Sequence, residues 1–154
     1  MLRINTRVLI DDKKIECIIS YDSEPLYKIA RESRKKKNIR EIRGRYGFKS
    51  MIVLEDGYVF LCPLNPDTYQ NGKGISSDDY FIIDPKRYYI RRNCIREIVE
   101  GKLNKQQKRE VKESKDNGTY INLAKNKKVK YYIFTYSGHI YGVNIIKRKE
   151  EILQ

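Results

Sequence analysis

Nine cations crowd the segment from Arg31 to Lys49: Arg31, Arg34, Lys35, Lys36, Lys37, Arg40, Arg43, Arg45 and Lys49, opposed only by Glu32 and Glu41. Arginine forks match phosphate oxygens in shape and charge, so the run reads as a phosphate-contacting helix and loop. It continues into Gly44-Arg45-Tyr46-Gly47-Phe48-Lys49, where two glycines let backbone approach a ligand beside a guanidinium, a phenol and an ammonium. A second group, Lys86, Arg87, Arg91, Arg92 and Arg96, surrounds Tyr88, Tyr89 and Ile90. Strand alternation would put Arg87, Tyr89 and Arg91 on one face, a stacking ring between two cations. Lys125, Lys127, Lys128 and Lys130 form a third cluster with the composition of a basic loop. The residues expected to touch nucleic acid are Arg34, Lys36, Arg40, Arg43, Arg87, Arg91, Arg92, Lys127 and Lys128.

The shortages restrict chemistry further. With one histidine, His139, a two-histidine acid–base pair is impossible, and its position after a hairpin turn marks it as a surface residue. No P-loop, dinucleotide-binding glycine fingerprint or nucleophile elbow is present. Asp11-Asp12 and Asp78-Asp79 are adjacent pairs whose side chains diverge on a strand, which argues against a two-metal site. Cys17, Cys62 and Cys94 sit in apolar runs without a C-x-x-C pair, so neither zinc nor a disulfide framework is expected. No metal and no cofactor is implied. Any catalysis must rest on Arg, Lys, Tyr, Ser or Thr, which suits metal-free RNA cleavage with the ribose 2′-hydroxyl as nucleophile.

Elements must hold these groups in place. Leu2 to Ile19 reads as a hairpin turning at Asp11-Asp12-Lys13-Lys14, and Ser23-Glu24-Pro25 opens a helix running to about Lys37. Met51–Leu54 and Tyr58–Cys62 flank Glu55-Asp56-Gly57, a strong hairpin signal. Pro63 to Gly74 reads as a long loop. Tyr80–Ile83 and Arg87–Ile90 turn at Asp84-Pro85-Lys86 and lead to Cys94–Val99; Asn104 with Gln107 caps a polar helix to about Ser114. A last hairpin turns at Ser137-Gly138. The expected class is α+β and β-hairpin-rich, a small SH3-like barrel or a two-sheet core with two short basic helices. Arg31-Glu32-Ser33 and Lys112-Glu113-Ser114 each precede a basic linker and a hairpin with Gly at its turn. A pseudo-repeat of 1–75 and 76–154 within one domain of 1–154 would follow.

At 154 residues and a formal net charge of +13, the chain has room for one domain or two very small ones and attracts polyanions. Nucleic acid, RNA or DNA, is the expected partner. Lacking a long apolar run or an apolar N-terminal segment, it is expected to be cytoplasmic, with no membrane contact.

Gly44-Arg45-Tyr46-Gly47 and Ser50 to Leu64 resemble the barrel hairpin of MazF/PemK endoribonuclease toxins, especially the ToxN branch restrained by an antitoxin RNA. Tyr89 to Ile98 and Gly101 to Gln107 are similar to its later strand and helix. The resemblance implies a metal-independent RNA endonuclease in which Arg45, Tyr46 and Lys49 are catalytic, with an antitoxin RNA or protein as partner. Asn65-Pro66 departs from the Thr-Ser that follows Pro-Leu in that family. Pro25-Leu26, Ile52-Val53, Phe60-Leu61-Cys62-Pro63 and Tyr89-Ile90 resemble ComK, a competence transcription factor, implying a sequence-specific DNA-binding regulator. A fainter likeness, over Pro25 to Thr68, is to RemA, a small DNA-binding matrix regulator. A phage-type inhibitor of a host nucleic-acid-binding complex is the remaining alternative.

Overall fold

A computed structural model describes residues 1–70 and 76–147; Asn71 to Gly74 of the expected long loop lie outside the described residues. The chain begins with a short antiparallel pair, β1 (Leu2–Arg3) and β2 (Leu9–Ile10), and a 3₁₀ turn at Asp12–Lys14 leads into β3 (Ile15–Ser20). The expected pairing of the segments either side of Asp11–Lys14 does not form. Ile15, Cys17, Ile18 and Ile19 are an unbroken buried run, which suits a central strand covered on both faces rather than one arm of a hairpin.

Helix α1 (Glu24–Lys36) has Ser23 in the extended N-cap conformation and Pro25 in the first turn, where a missing N–H is harmless. Leu26, Ala30 and Ser33 recur at helical spacing and are its buried residues. Lys37, at a left-handed φ of 57°, ends it. Next come β4 (Ile39–Glu41), β5 (Ser50–Leu54) and β6 (Val59–Cys62), then a 3₁₀ helix at Pro66–Gln70. β7 (Tyr80–Asp84) and β8 (Tyr88–Arg91) form a hairpin and β9 (Ile95–Glu100) follows. Helix α2 (Lys105–Asn117) opens on a capping box in which Asn104 Oδ1 accepts from the Gln107 amide at 2.8 Å and Gln107 Oε1 from the Asn104 amide at 2.9 Å. The last strands are β10 (Tyr120–Asn122), β11 (Tyr131–Thr135) and β12 (Ile140–Val143).

The larger sheet runs β4-β6-β5-β3-β8-β7 and the smaller β10-β12-β11-β9. One face of the larger sheet, with Leu26 and Ala30 of α1, packs against the smaller through Ile19, Met51, Val53, Ile133, Tyr141 and Val143. The β1–β2 pair and Tyr69 cover the outer face of the larger sheet, and α2 covers the outer face of the smaller through Val111. The fold is α+β with a two-sheet core; the sheets do not close into a barrel. No helix among the described residues is long and apolar enough to cross a membrane.

The two halves share connectivity to the level of single hydrogen bonds. In each, a strand, a helix and three strands follow in sequence, and the first strand after the helix pairs parallel with the third: Ile39 with Val59, Tyr120 with Ile140. The same irregularity recurs, opposite Leu54 and Val53 in the first half and Thr135 and Phe134 in the second, where Glu16 and Arg96 are the extra residues. Ile42 N–H donates to Leu61 O as Leu123 N–H does to Gly142 O, and Lys49 N–H to Cys62 O as Lys130 N–H to Val143 O. β4 and β10, read from sequence as parts of basic linkers, carry too few residues to show strand alternation.

The bulge turns Glu16 inward, where its side chain is 0% exposed. Tyr141 Oη donates to Glu16 Oε2 at 2.5 Å, Ser137 Oγ meets Oε1, and His139 Nδ1 lies 2.9 Å from Oε2. His139 is therefore no surface residue but 9% exposed, because it supplies one of three contacts to a carboxylate that burial would otherwise leave bare. Glu16→Ala should cost about 3 kcal/mol in urea unfolding, since it removes the shared acceptor of Ser137, His139 and Tyr141 at once; a cost below about 1 kcal/mol would contradict the clamp. The corresponding helix end in the second half is Gly118, at φ 74°. Lys37→Gly should accordingly stabilise the fold by about 1 kcal/mol, as read from the same melts.

Candidate nucleic-acid interface

Three connections open at one end of the molecule. Where β3 ends, Ser20 N–H donates to Arg87 O and Tyr21 N–H to Lys49 O. The next residue, Asp22, takes Lys125 Nζ on its Oδ2 at 3.2 Å, with Arg87 Nη1 3.9 Å from the same oxygen. These contacts place the β4–β5 loop (42–49), the β7–β8 turn (85–87) and the β10–β11 loop (123–130) on one rim. Arg43, Arg45, Lys86, Arg87, Lys127, Lys128 and Lys130 are exposed along it and Lys49 is half-buried. Of the nearby carboxylates, Asp22 is held as above and Asp84 faces Lys147 Nζ at 3.2 Å. Like charges gathered on one edge sum to a field that attracts phosphate.

Tyr46, 75% exposed, stands between Arg45, with Cζ 5.6 Å from the ring centroid, and Lys49, with Nζ at 5.7 Å. Gly47, at φ 77°, makes the turn that lifts the ring out. Arg45, Tyr46 and Lys49 thus do form one group, and Arg43, Arg87, Lys127 and Lys128 share its rim.

The other expected contacts lie elsewhere. Glu55 N–H donates to Lys14 O and Tyr136 N–H to Cys94 O, so the Asp12–Lys14, Glu55–Tyr58, Arg92–Cys94 and Tyr136–His139 turns meet at the opposite end. Arg91 donates to Lys13 O there, and Arg92 Nε to Asp78 O at 3.1 Å. Lys36 closes α1 at that end too, two residues before Asn38, whose carbonyl accepts from Val59. Arg34 forks onto Glu41 Oε1 at 2.6 and 3.1 Å, and that hydrogen bond raises its pKa. Arg40 projects from edge strand β4, exposed. Tyr88 and Tyr89 are 7% and 0% exposed, and Tyr89 Oη donates to Pro85 O, so the stacking face expected from Arg87, Tyr89 and Arg91 does not exist. Both rings were needed to fill the core where β8 joins β3.

A cleft of about 640 Å³ runs beside α2, and a larger one of about 1030 Å³ separates α1 from α2 and β10. The larger mixes Lys28, Lys36 and Lys115 with Glu24, Glu32, Glu55 and Asp116, which gives it no preference for a polyanion. Asp22 and the Glu16–Ser137–His139–Tyr141 cluster are the positioning residues that the sequence reading missed. Their signals were a lone carboxylate inside an aliphatic strand and three polar groups at two-residue spacing, which strand geometry sends to one face.

Burial pushes the Cys62 and Cys94 thiols up to about 12, Glu55 assisting at Cys94, and raises Cys17 further. It also pushes the Tyr88 and Tyr120 phenols up to about 12. The same groups ionise near 9.0 and 10.0 when free of the fold. Stability is intact below about pH 9 and is lost as pH rises towards 12, because only the unfolded chain can then release these protons. Thermal melts should show Tm falling steadily above pH 9 to 10; a flat Tm up to pH 11 would contradict the burial.

A family model for RemA-like proteins, described as extracellular matrix regulatory protein A-like, matches residues 1–71. No curated protein matches the chain. The matched stretch runs from β1 through the Pro66–Gln70 turn and contains Gly44 to Leu64, on which the toxin likeness chiefly rested. It corrects that likeness and the ComK one. The RNA endonuclease activity of toxin type falls with them, and the fainter RemA likeness lies inside the matched residues.

Proposed function

We propose that the chain is a non-catalytic regulatory protein, similar in its first half to RemA-like matrix regulators, that works in the cytoplasm by holding the phosphate backbone of duplex nucleic acid. The observation that carries this reading is the gathering of Arg43, Arg45 and Lys49 on one rim where Asp22 is held by Lys125 and Arg87 and Asp84 by Lys147. Arginine there offers two parallel N–H groups to a phosphate, and an exposed loop can meet the backbone without unfolding anything. The burial of Tyr88 and Tyr89 supports a duplex over a single strand. Single-strand binding needs a row of stacking rings, and Tyr46 is the only exposed tyrosine on the described part of the rim.

Fluorescence anisotropy with a labelled duplex of about 25 base pairs tests the reading. Binding should weaken steeply with salt, because each neutralised phosphate contributes a slope of about −0.9 in log affinity against log salt. The double variant Arg43→Ala/Arg45→Ala should bind at least tenfold more weakly at low salt and lose about two units of slope. Absent binding at low salt, or a variant indistinguishable from the parent protein, would overturn it.

A further inference from the structure

The RemA-like match stops at residue 71, yet the second half repeats the connectivity of the first. We infer that residues 95–143 are a second copy of the same unit, and that its loop 123–130 is a second phosphate-holding loop, equivalent to loop 42–49. This inference rests on the reading proposed above.

The equivalence is geometric. Each loop has eight residues and joins the strand after the helix to the first arm of the hairpin. Each begins on a buried aliphatic residue, Ile42 or Leu123, whose amide is tied to the hairpin's second arm, and ends on a lysine, Lys49 or Lys130, tied to the same arm. The carbonyl of that lysine accepts from the chain just beyond the preceding strand, Tyr21 N–H in one half and Gly101 N–H in the other. Both anchors are therefore fixed alike, while the exposed residues between them have diverged. Arg43 and Arg45 serve one loop, and Lys127 and Lys128 the other.

The units stack in one direction rather than about a two-fold axis. The face of the first sheet that carries α1 meets the face of the second sheet turned away from α2. A translation of this kind keeps equivalent ends together, which is why both loops reach one rim. Asp22 spans the join, lying at the start of the first unit's helix and bonded to Lys125 of the second unit's loop. Packed sheets lie about 10 Å apart. That separation is comparable with the roughly 12 Å width of the duplex major groove, so the two loops suit phosphates on its two sides.

The test compares Lys127→Ala/Lys128→Ala with Lys35→Ala/Lys36→Ala, which removes equal charge at the opposite end of α1, on the same labelled duplex across a salt series. Circular dichroism melts confirm that each variant is folded, as expected for exposed lysines. The inference predicts that the second-loop variant binds about tenfold more weakly at low salt and loses about two units of salt slope, whereas the control changes less than twofold. If the parent protein binds and the second-loop variant behaves like the control, the second loop is no phosphate site and the inference fails alone. If the parent protein does not bind the duplex, the underlying reading fails first.

Discussion

The arrangement depends on one buried carboxylate. Glu16 lies in the central strand of the larger sheet, and its contacts, Ser137, His139 and Tyr141, all come from the last hairpin of the smaller one. An apolar interface between two sheets tolerates sliding, because dispersion and hydrophobic contacts are non-directional. A charge-assisted hydrogen bond does not, and its loss exposes the cost of desolvating the carboxylate. The bulge that directs Glu16 inward therefore also sets how the second sheet lies on the first, and with it which loops share an end.

That alignment separates charge along the molecule. At one end, loops from both halves and the β7–β8 turn present exposed arginine and lysine. At the other, Asp12, Glu55 and Asp56 stand among Lys13, Arg91 and Arg92, and the two arginines are bonded to backbone carbonyls. Exposed ion pairs contribute little stability, typically below about 1 kcal/mol. The exposed Arg43, Arg45, Lys127 and Lys128 of the rim are thus not accounted for by the needs of folding, and they are the groups that the proposed phosphate contact uses.

Much of the fold was legible. The Asp56-Gly57 and Ser137-Gly138 turns, the proline-opened helix and the Asn104–Gln107 box each act through neighbours in sequence, and each formed where expected. The echo between the two Glu-Ser pairs was visible as well, and buried Ser33 and Ser114 do occupy matching places near the ends of the two helices. What failed was non-local. Whether β2 or β8 pairs with β3 depends on which strand the sheet needs at its centre, and Tyr88 and Tyr89 look alike on paper whether they stack on bases or fill a core. His139 was misplaced for the same reason, since its partner is distant in sequence. Cation clusters are visible in the sequence, but only three-dimensional placement separates Arg43, Arg45, Arg87, Lys127 and Lys128 on one end from Arg91, Arg92 and Lys36 on the other.

The central claim is that one end of the molecule, built jointly by both halves, holds the nucleic-acid backbone. Amide hydrogen exchange of the protein with and without a 25-base-pair duplex, followed by mass spectrometry at low salt, tests it most directly. The account predicts slower exchange in 42–49, 85–87 and 123–130 and no change in 12–14, 55–58, 92–94 and 136–139. Protection confined to the second set of turns, or absent from the rim at a saturating duplex concentration, would contradict it.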